Sequence, residues 1–382
     1  KPDPQFTGKG TPIKVQRKDT NGTPVTADYT AVVVPADPEG DDVTTVDIQG
    51  AEQSGTPRFH GGKADIDGVT KEVPIDETVP AKLIDPTTGQ EVTEVVTDEG
   101  TYRVDPDGTV HFKPKPDFVG KAKGVTVKRV DKNGTPVTAK STPTVIPVSP
   151  SGEDVTSVGP KNTPQEGTPV FKGGSETVNG KNKTVEIDKD VPATFEDGKT
   201  TKVVPGQGTY TIDPNGKVTF TPEPEFVGTA SGVTVVRKDK NGKTIFASYT
   251  PTVRPDTIFR DKEGKEIPGY PTEDGTTPKK DIPGYRFVET VTDNDGNTKH
   301  VYEKVKTFFK DKEGKEIPNY PSEEGETPKK DIPGYRFVET KKLPNGDTEH
   351  VYEKVKTSYV DSKGKEIPNY PTEEGEKPKK DI

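Results

Sequence analysis

The sequence predicts an all-β protein built from tandem antiparallel, Ig-like β-sandwiches. Three observations lead to this prediction: β-branched residues fill most apolar positions, short alternating runs end at turn residues, and one hairpin pattern occurs three times. The chain holds 44 Val and 16 Ile against two Leu. Because β-branched side chains favour strands, and no stretch keeps helical apolar spacing for more than a turn, we expect strands throughout.

Disorder is the alternative to this fold, because only 26% of the residues are apolar and Gly and Pro number 39 each. The recurrence of alternating runs between turn residues favours folded β-domains instead. A chain of 382 residues is long enough for several domains. It starts at Lys1 and stops inside a repeat, so we expect it to be a fragment whose signal peptide and anchor lie outside it.

The hairpin that organises the chain spans residues 124–138. Val125 and Val127 share one face of its first arm, because successive strand side chains alternate between faces. Asn133-Gly134 supplies the reversal, since both residues tolerate positive φ. The same unit recurs upstream around Asn21-Gly22 and downstream around Asn241-Gly242.

Two repeat lengths divide the chain. Phe118 and Phe226 are 108 residues apart, whereas Gly264 and Gly314 are 50 apart. The predicted segments are 1–35, the C-terminal part of a truncated long repeat; 36–147 and 148–255, two long repeats that each form a sandwich; 256–306 and 307–356, two short β repeats; and 357–382, a truncated short repeat.

Each long repeat is predicted to hold about seven short strands. A second hairpin places Tyr102 and Val104 opposite Val110 and Phe112. Each short repeat offers three strands, one at its start and a hairpin at its end, and the truncated copy should be frayed or open-edged. Proline-bounded joints act as semi-rigid spacers. The units should therefore form an elongated rod.

Several short blocks recur in fixed order in the two long repeats. They are Gly-Thr-Tyr at 100–102 and 208–210, Asp-Pro at 105 and 213, Phe-Val-Gly at 118–120 and 226–228, Gly-Val-Thr-Val at 124–127 and 232–235, and Asp-Lys-Asn-Gly at 131–134. On these blocks, residues 1–255 resemble the CshA-type fibril repeat of Gram-positive wall-anchored adhesins. The resemblance implies the stalk of an extracellular, cell-wall-anchored fibrillar adhesin.

The short repeats carry a different set of blocks. Phe-Lys-Asp-Lys-Glu-Gly-Lys-Glu-Ile lies at 309–317, Ile-Pro-Gly-Tyr at 332–335 and His-Val-Tyr at 350–352. With these blocks, residues 256–382 resemble mucin-binding-type (MucBP-like) repeats. The alternative function is therefore a multivalent module that binds a glycan or glycoprotein. The expected partner is a host or bacterial surface glycoprotein, glycan or matrix protein, and the chain itself is expected to be monomeric.

Charge and composition exclude several other classes. The net charge of −9 comes from interspersed charges without a long basic run, so nucleic acid is not an expected partner. The apolar runs are too short to span a membrane. Cysteine is absent, which excludes disulfides and Cys-ligated metals.

No catalytic chemistry is indicated. The four histidines are His60, His111, His300 and His350, and the last two occupy one position in successive repeats. Catalytic triads and metal sites need a histidine beside a nucleophile or further ligands, and no such motif is present. We therefore expect no enzyme activity, no catalytic, cofactor-binding or metal-binding residues and no cofactor. Ligand-binding residues are not identifiable.

Three other features have both a structural and a functional interpretation. Asp293-Asn-Asp-Gly296 begins like a calcium loop, but a hairpin turn is favoured. Tyr270, Tyr285, Phe287 and Tyr302 could form a glycan-stacking face, but core packing is favoured. Lys–Asn isopeptide bonds would need a buried lysine beside an acid, and no pair can be chosen from the sequence.

Overall fold

The computed structural model describes all 382 residues and contains 41 strands and no helix, which confirms the all-β prediction. Its accessible surface is 23542 Å² for a mass of 41.4 kDa. A compact monomer of that mass would expose about 14,800 Å². The chain therefore forms several units that each expose their own surface, and not one compact globule.

The N-terminal segment forms two small two-stranded sheets, β2 with β3 and β1 with β4. Its strands are β1 Gly8–Lys9, β2 Ile13–Lys18, β3 Pro24–Tyr29 and β4 Val32–Val33. Val15 is 51% exposed here, whereas its counterpart Val127 in the first long repeat is fully buried. The difference arises because no second sheet covers the β2–β3 hairpin.

The first long repeat is a β-sandwich. Its strands are β5 Glu39–Asp41, β6 Val43–Ile48, β7 Gln53–Gly55, β8 Arg58–His60, β9 Gly62–Ile66, β10 Val69–Val73, β11 Lys82–Ile84, β12 Glu91–Val92, β13 Glu94–Val96, β14 Gly100–Val104, β15 Val110–Pro114, β16 Gly120–Lys121, β17 Val125–Val130 and β18 Pro136–Ile146. One sheet has the order β12-β11-β17-β18-β16, with β6 also paired to β18, and the other β13-β14-β15-β7.

Both predicted hairpins are present in this repeat. β17 and β18 pair across the Asn133-Gly134 turn, and β14 and β15 pair so that Tyr102 lies opposite Phe112. The inward side chains of the two sheets form one core of eleven buried residues. They are Ala81, Leu83, Val95, Tyr102, Val104, Val110, Phe112, Ala122, Val125, Val127 and Val145.

The structure corrects two details of the predicted sandwich. The repeat contains fourteen strands rather than about seven, because turns and prolines break the chain into many segments of two or three paired residues. The sandwich is also not wholly antiparallel, since β6 pairs with β18 in parallel. This pairing joins the beginning of the repeat to its end, and local sequence patterns do not predict it.

The second long repeat has the same plan. Its strands are β19 Ser151–Glu153, β20 Val155–Gly159, β21 Gln165–Gly167, β22 Val170–Lys172, β23 Ser175–Val178, β24 Lys181–Thr184, β25 Thr194–Phe195, β26 Thr201–Val204, β27 Gly208–Ile212, β28 Val218–Pro222, β29 Gly228–Thr229, β30 Val233–Lys238 and β31 Thr244–Val253. Sheets β20-β31-β30-β25 and β21-β28-β27-β26 enclose an eleven-residue core, and β20 pairs with β31 in parallel.

Each short repeat folds into one four-stranded sheet. The strands are β32 Asp256–Asp261, β33 Glu273–Asp274, β34 Tyr285–Thr292 and β35 Thr298–Lys304 in the first copy, and β36 Lys306–Asp311, β37 Glu323–Glu324, β38 Tyr335–Lys342 and β39 Thr348–Lys354 in the second. The three predicted strands are present, and a two-residue strand, β33 or β37, adds a fourth. The first strand again pairs in parallel with the last, as β32 with β35 and β36 with β39.

The C-terminal segment holds only the start of a third short repeat. Its strands are β40 Lys356–Thr357 and β41 Glu373–Glu374, which pair with each other. No hairpin equivalent to β34–β35 covers them. Most residues of the segment are exposed, although Tyr359 is buried.

The buried tyrosines of the long repeats give a pH-dependent prediction. Burial raises the pKa of Tyr102 and of Tyr210 to about 12, against a lesser lowering by the backbone amides of Gly124 and Gly232, and neither hydroxyl makes a hydrogen bond of normal geometry. Above pH 10 the unfolded chain releases these protons while the folded chain keeps them, so the free energy of unfolding falls between about pH 10 and 12. We expect a loss of about 2–3 kcal/mol per tyrosine in urea titrations.

Tyr210→Phe provides the control for this prediction. It removes the titrating group together with an unsatisfied buried hydroxyl, so the second long repeat should be no less stable at pH 7. It should also lose part of its alkaline sensitivity. A variant with an unchanged pH profile would contradict the assignment.

Candidate functional site: terminal strands and joints between repeats

In each complete repeat, a strand near its start pairs in parallel with its last strand, and we call this pairing the terminal ladder; the pairs are β6–β18, β20–β31, β32–β35 and β36–β39. In the first long repeat, Val43–Ile48 pairs in parallel with residues 141–146. The ladder continues beyond the strands at both ends. Gln49 donates its amide to the carbonyl of Ile146 at 2.8 Å, and Lys140 donates its amide to a carboxylate oxygen of Asp42 at 2.6 Å.

The second long repeat has a similar ladder of five residue pairs, which is also extended at both ends. Arg254 donates its amide to the carbonyl of Gly159 at 2.8 Å, and Ser248 donates its amide to Asp154 at 2.7 Å. Because the two terminal strands are parallel, the chain enters a repeat at one end and leaves it at the opposite end. The terminal ladders therefore dictate a head-to-tail order of the repeats.

A buried glutamine braces each long ladder against the second sheet. Gln165 is 7% exposed; it donates to the carbonyl of Thr252 at 3.0 Å and accepts from the hydroxyl of Ser157 at 2.6 Å. Gln53 makes the equivalent bonds in the first long repeat. Sequence analysis missed both residues. The available signal was that each lies two residues before a Gly-Thr-Pro block.

Gln165→Ala should destabilise the second long repeat. The substitution leaves the partly buried carbonyl of Thr252 without its donor, while the Ser157 hydroxyl keeps only its bond to Tyr249, so we expect a loss of about 1–3 kcal/mol in the free energy of unfolding, measured by chemical denaturation. Gln16→Ala, at an exposed position of β2, is the matched control and should change stability by less than about 0.5 kcal/mol. Equal effects would contradict the bracing role.

The joint between the two long repeats is a packed interface. Ile48 of the first repeat and Val148, Val178 and Val185 form a separate buried cluster. Val148 belongs to the proline-bounded linker, which the sequence predicted to be only a spacer. The linker is therefore held by side-chain packing as well as by the stiffness of proline.

Polar contacts lock the same joint. Lys183 of the second repeat pairs with the mostly buried carboxylate of Asp47 in the first. Asn241, in the β30–β31 turn that corresponds to Asn133-Gly134 in the first repeat, donates its side-chain amide to the carbonyl of Gln49 at 3.0 Å. A Cβ on Gly50 would lie 2.0 Å from the Asn241 side chain, so glycine is needed for this close approach.

The joint between the short repeats also uses a hairpin turn. Arg286 of the first short repeat lies 3.3 Å from a carboxylate oxygen of Asp347 in the second, and that oxygen also accepts the amide of Lys306 at 2.8 Å. Val305, which is buried, lies beside Gly346 of the same turn. In both repeat classes, the turn of the last hairpin therefore contacts the repeat that precedes it in the chain.

The histidines have structural surroundings. His300 is buried, with Nε2 2.8 Å from the carbonyl of Thr277 and Nδ1 2.8 Å from the hydroxyl of Thr290, and His350 repeats these contacts. His60 and His111 each lie 2.8 Å from an aspartate on the surface. Each of the two buried histidines is thus held between a threonine hydroxyl and a backbone carbonyl.

The possible calcium loop is a hairpin turn. Asp293 accepts the backbone amides of Asp295 at 3.1 Å and Asn297 at 2.9 Å, and Lys299 lies 3.5 Å from its second oxygen. Burial raises the pKa of Asp293, but these hydrogen bonds outweigh burial and hold the pKa below its ordinary value. The Asp293 carboxylate thus stabilises the hairpin turn through these contacts.

The four aromatic residues of the first short repeat pack together. Tyr302 belongs to its buried cluster with Phe259, Ile267 and Ile282, and the partly buried Tyr270, Tyr285 and Phe287 pack against this cluster. The Tyr302 hydroxyl donates to the carbonyl of Lys280 at 2.9 Å and accepts its amide at 3.0 Å. These contacts support core packing over a glycan-stacking face.

Other candidate chemistry is sparse. No three His, Cys, Asp or Glu side chains converge in a metal-binding arrangement, and no helix suitable for crossing a membrane is present. No lysine donates its ammonium group to an asparagine side chain among the hydrogen bonds; Lys183, for example, pairs with Asp47. No isopeptide pair is therefore identified.

Comparison with protein families gives two matches. The model of the surface adhesin CshA repetitive domain matches residues 1–33, 35–145 and 147–253, about two thirds of the chain. The SSSPR-51 domain model matches residues 256–304 and 305–354. The family model that matches the short repeats is thus SSSPR-51, and not the mucin-binding type that their sequence blocks resemble.

Individual relatives are consistent with these matches. The chain is 32% identical over 222 residues to the muramidase-released protein of Streptococcus suis, over 54% of this chain and 16% of that protein's length. The NMR structure of repeat domain 13 of the fibrillar adhesin CshA from Streptococcus gordonii is 58% identical, covers 18% of this chain and 86% of that chain, and has a TM-score of 0.12. A tetra-tandem repeat from the extending region of a large adhesion protein is 17% identical, covering 90% and 80%, with a TM-score of 0.18.

Proposed function

The chain belongs to the surface adhesin CshA repetitive domain family, and from this premise we propose that it is part of the stalk of a cell-wall-anchored fibrillar adhesin. The stalk holds a binding region away from the cell for adhesion to host or bacterial surfaces. The observation that carries this proposal is the parallel terminal ladder in all four complete repeats. It directs the chain from end to end through every unit.

The joints support the same proposal. A stalk gains reach only if consecutive units do not fold back on one another. The Asp47–Lys183 pair, the Asn241–Gln49 bond and the buried Val148 restrict such folding between the long repeats. We propose further that residues 36–147 and 148–255 are separate folding units, and that the chain is monomeric and has no enzymatic role.

The proposed role can be tested by small-angle X-ray scattering of the 382-residue chain. A compact globule of this length has a radius of gyration of about 21 Å, and we expect at least about twice that value. A value near 21 Å would contradict the stalk.

The contribution of the joint can be measured in the same experiment. The double variant Asn241→Ala with Lys183→Ala should broaden the distribution of chain dimensions, because it removes both polar contacts across the joint. Asn215→Ala with Lys217→Ala makes the same chemical changes in a turn within the second long repeat and should leave the dimensions unchanged.

The alternative function, multivalent glycan or glycoprotein binding by the short repeats, has less support. The aromatic residues that could stack on sugars are half-buried or buried in the repeat core. Loss of glycoprotein binding on deletion of residues 256–382, with steep dependence on repeat number, would favour it over the stalk.

A further inference from the structure

The four terminal ladders are backed by cores of different size, with eleven buried residues in each long repeat and four in each short repeat. We propose that they are load-bearing, and that the short repeats unfold before the long ones under tension, so that residues 256–354 act as an extensible element in series with a stiffer one. This inference rests on the proposed stalk function. It adds a mechanical response that a stalk of uniform units would not have.

The direction of load follows from strand topology. When the chain is pulled from its ends, β6 is drawn toward the N-terminal side and β18 toward the C-terminal side. Because these strands are parallel, they must slide past each other, and all the hydrogen bonds between them are loaded together. Antiparallel terminal strands would instead separate one bond at a time from their shared end.

The long repeats have the more strongly supported ladders. Six residue pairs join β6 to β18, and the Asp42 and Gln49 hydrogen bonds extend this ladder at both ends. Gln53 ties it to the second sheet. Eleven buried residues then stabilise the sandwich behind it.

The short repeats have less support behind their ladders. Five residue pairs join β32 to β35, as many as join β20 to β31 in the second long repeat, but the buried core holds four residues instead of eleven. The last strand of the first copy ends at Lys304, and the first strand of the next copy begins at Lys306. Tension therefore passes from one short ladder to the next through a single residue, Val305, with no intervening loop to absorb extension.

Single-molecule force spectroscopy of the whole chain, tethered at its two ends, tests this order. Unfolding of a long repeat should lengthen the chain by about 350 Å and of a short repeat by about 150 Å. We expect the two short events to precede the two long events as tension rises. Long events that occur first, or extension without discrete steps, would overturn the proposal.

A matched pair of variants tests whether the ladder bears the load. Asp154→Ala removes the hydrogen bond that extends the ladder of the second long repeat, and should raise the unfolding rate of one long event under tension about fivefold. Asp197→Ala removes a similar hydrogen bond, to the amide of Lys199, in a turn away from the ladder, and should change that rate by less than about twofold.

Both aspartates are exposed, so both variants are expected to fold. Equal effects would overturn the load-bearing role of the ladder. Scattering by the same proteins separates this result from a failure of the proposed function, since a rod with a different unfolding order would keep its extended dimensions.

Discussion

Replacement of Phe220 by Ala is expected to unfold the second long repeat and leave the first one folded. Phe220 is fully buried, and its ring centroid lies 4.6 Å from that of Tyr210 and 6.4 Å from that of Phe226. Truncation of a buried phenylalanine costs about 3–5 kcal/mol. A domain of this size has only about 5–15 kcal/mol of stability, so most of it would be lost.

Hydrogen exchange measured along the chain would show this result directly. Protection should fall across residues 155–253 and persist across residues 43–146. Phe246→Ala is the control, because Phe246 is 53% exposed on β31 of the same repeat and its truncation should have only a small effect. Simultaneous loss of protection in both long repeats would contradict the proposal that they are separate folding units.

Local strand pairing was predictable because hairpins are encoded over a few residues. The sequence placed Tyr102 opposite Phe112 across Asp105-Pro-Asp-Gly108, and the structure confirms that register. The same holds for the organising hairpin around Asn133-Gly134. In both cases turn residues and alternating apolar residues together fix the pairing.

The terminal ladders were not predictable, because their partners lie far apart in the sequence, as Val43 and Ser141 do in the first long repeat and Thr257 and Thr298 in the first short repeat. Nothing in the alternation of β6 shows that it pairs with β18, or that the pairing is parallel. The glutamine braces were missed for a related reason. A polar residue close to a glycine is typical of an exposed turn. The burial of Gln53 becomes evident only when the packing of the two sheets is known.

The joints illustrate the same limit between units. Prolines predicted the positions of the linkers and, because proline restricts φ, also predicted that the linkers are stiff. Packing of Val148 against Ile48 and the Asn241–Gln49 hydrogen bond depend on how two folded units meet. Such contacts join residues up to 192 positions apart in the sequence, and a repeat pattern alone does not reveal them.

Phe309→Ala is expected to unfold the second short repeat. Phe309 is fully buried and forms the four-residue core with Ile317, Ile332 and Tyr352. A unit of this size rarely gains more than about 3–5 kcal/mol from its core. The expected cost of the truncation, about 3–5 kcal/mol, equals that entire contribution. Heteronuclear NMR should show loss of dispersed resonances from residues 307–354.

Phe308→Ala is a stringent control, because it removes the same side chain from the adjacent position of β36. Phe308 points to the opposite face of the sheet and is only partly buried, so this variant should keep the repeat folded.

Phe309→Ala should lower the stability of the first short repeat only through the contacts that this repeat makes with the second one. It loses the contact of Val305 with the Gly346 turn and the Arg286–Asp347 pair but keeps its own core, so we expect its stability to fall by about 1 kcal/mol. If it unfolded together with its neighbour, the two copies would form one cooperative unit, and force would extend them in a single step rather than two.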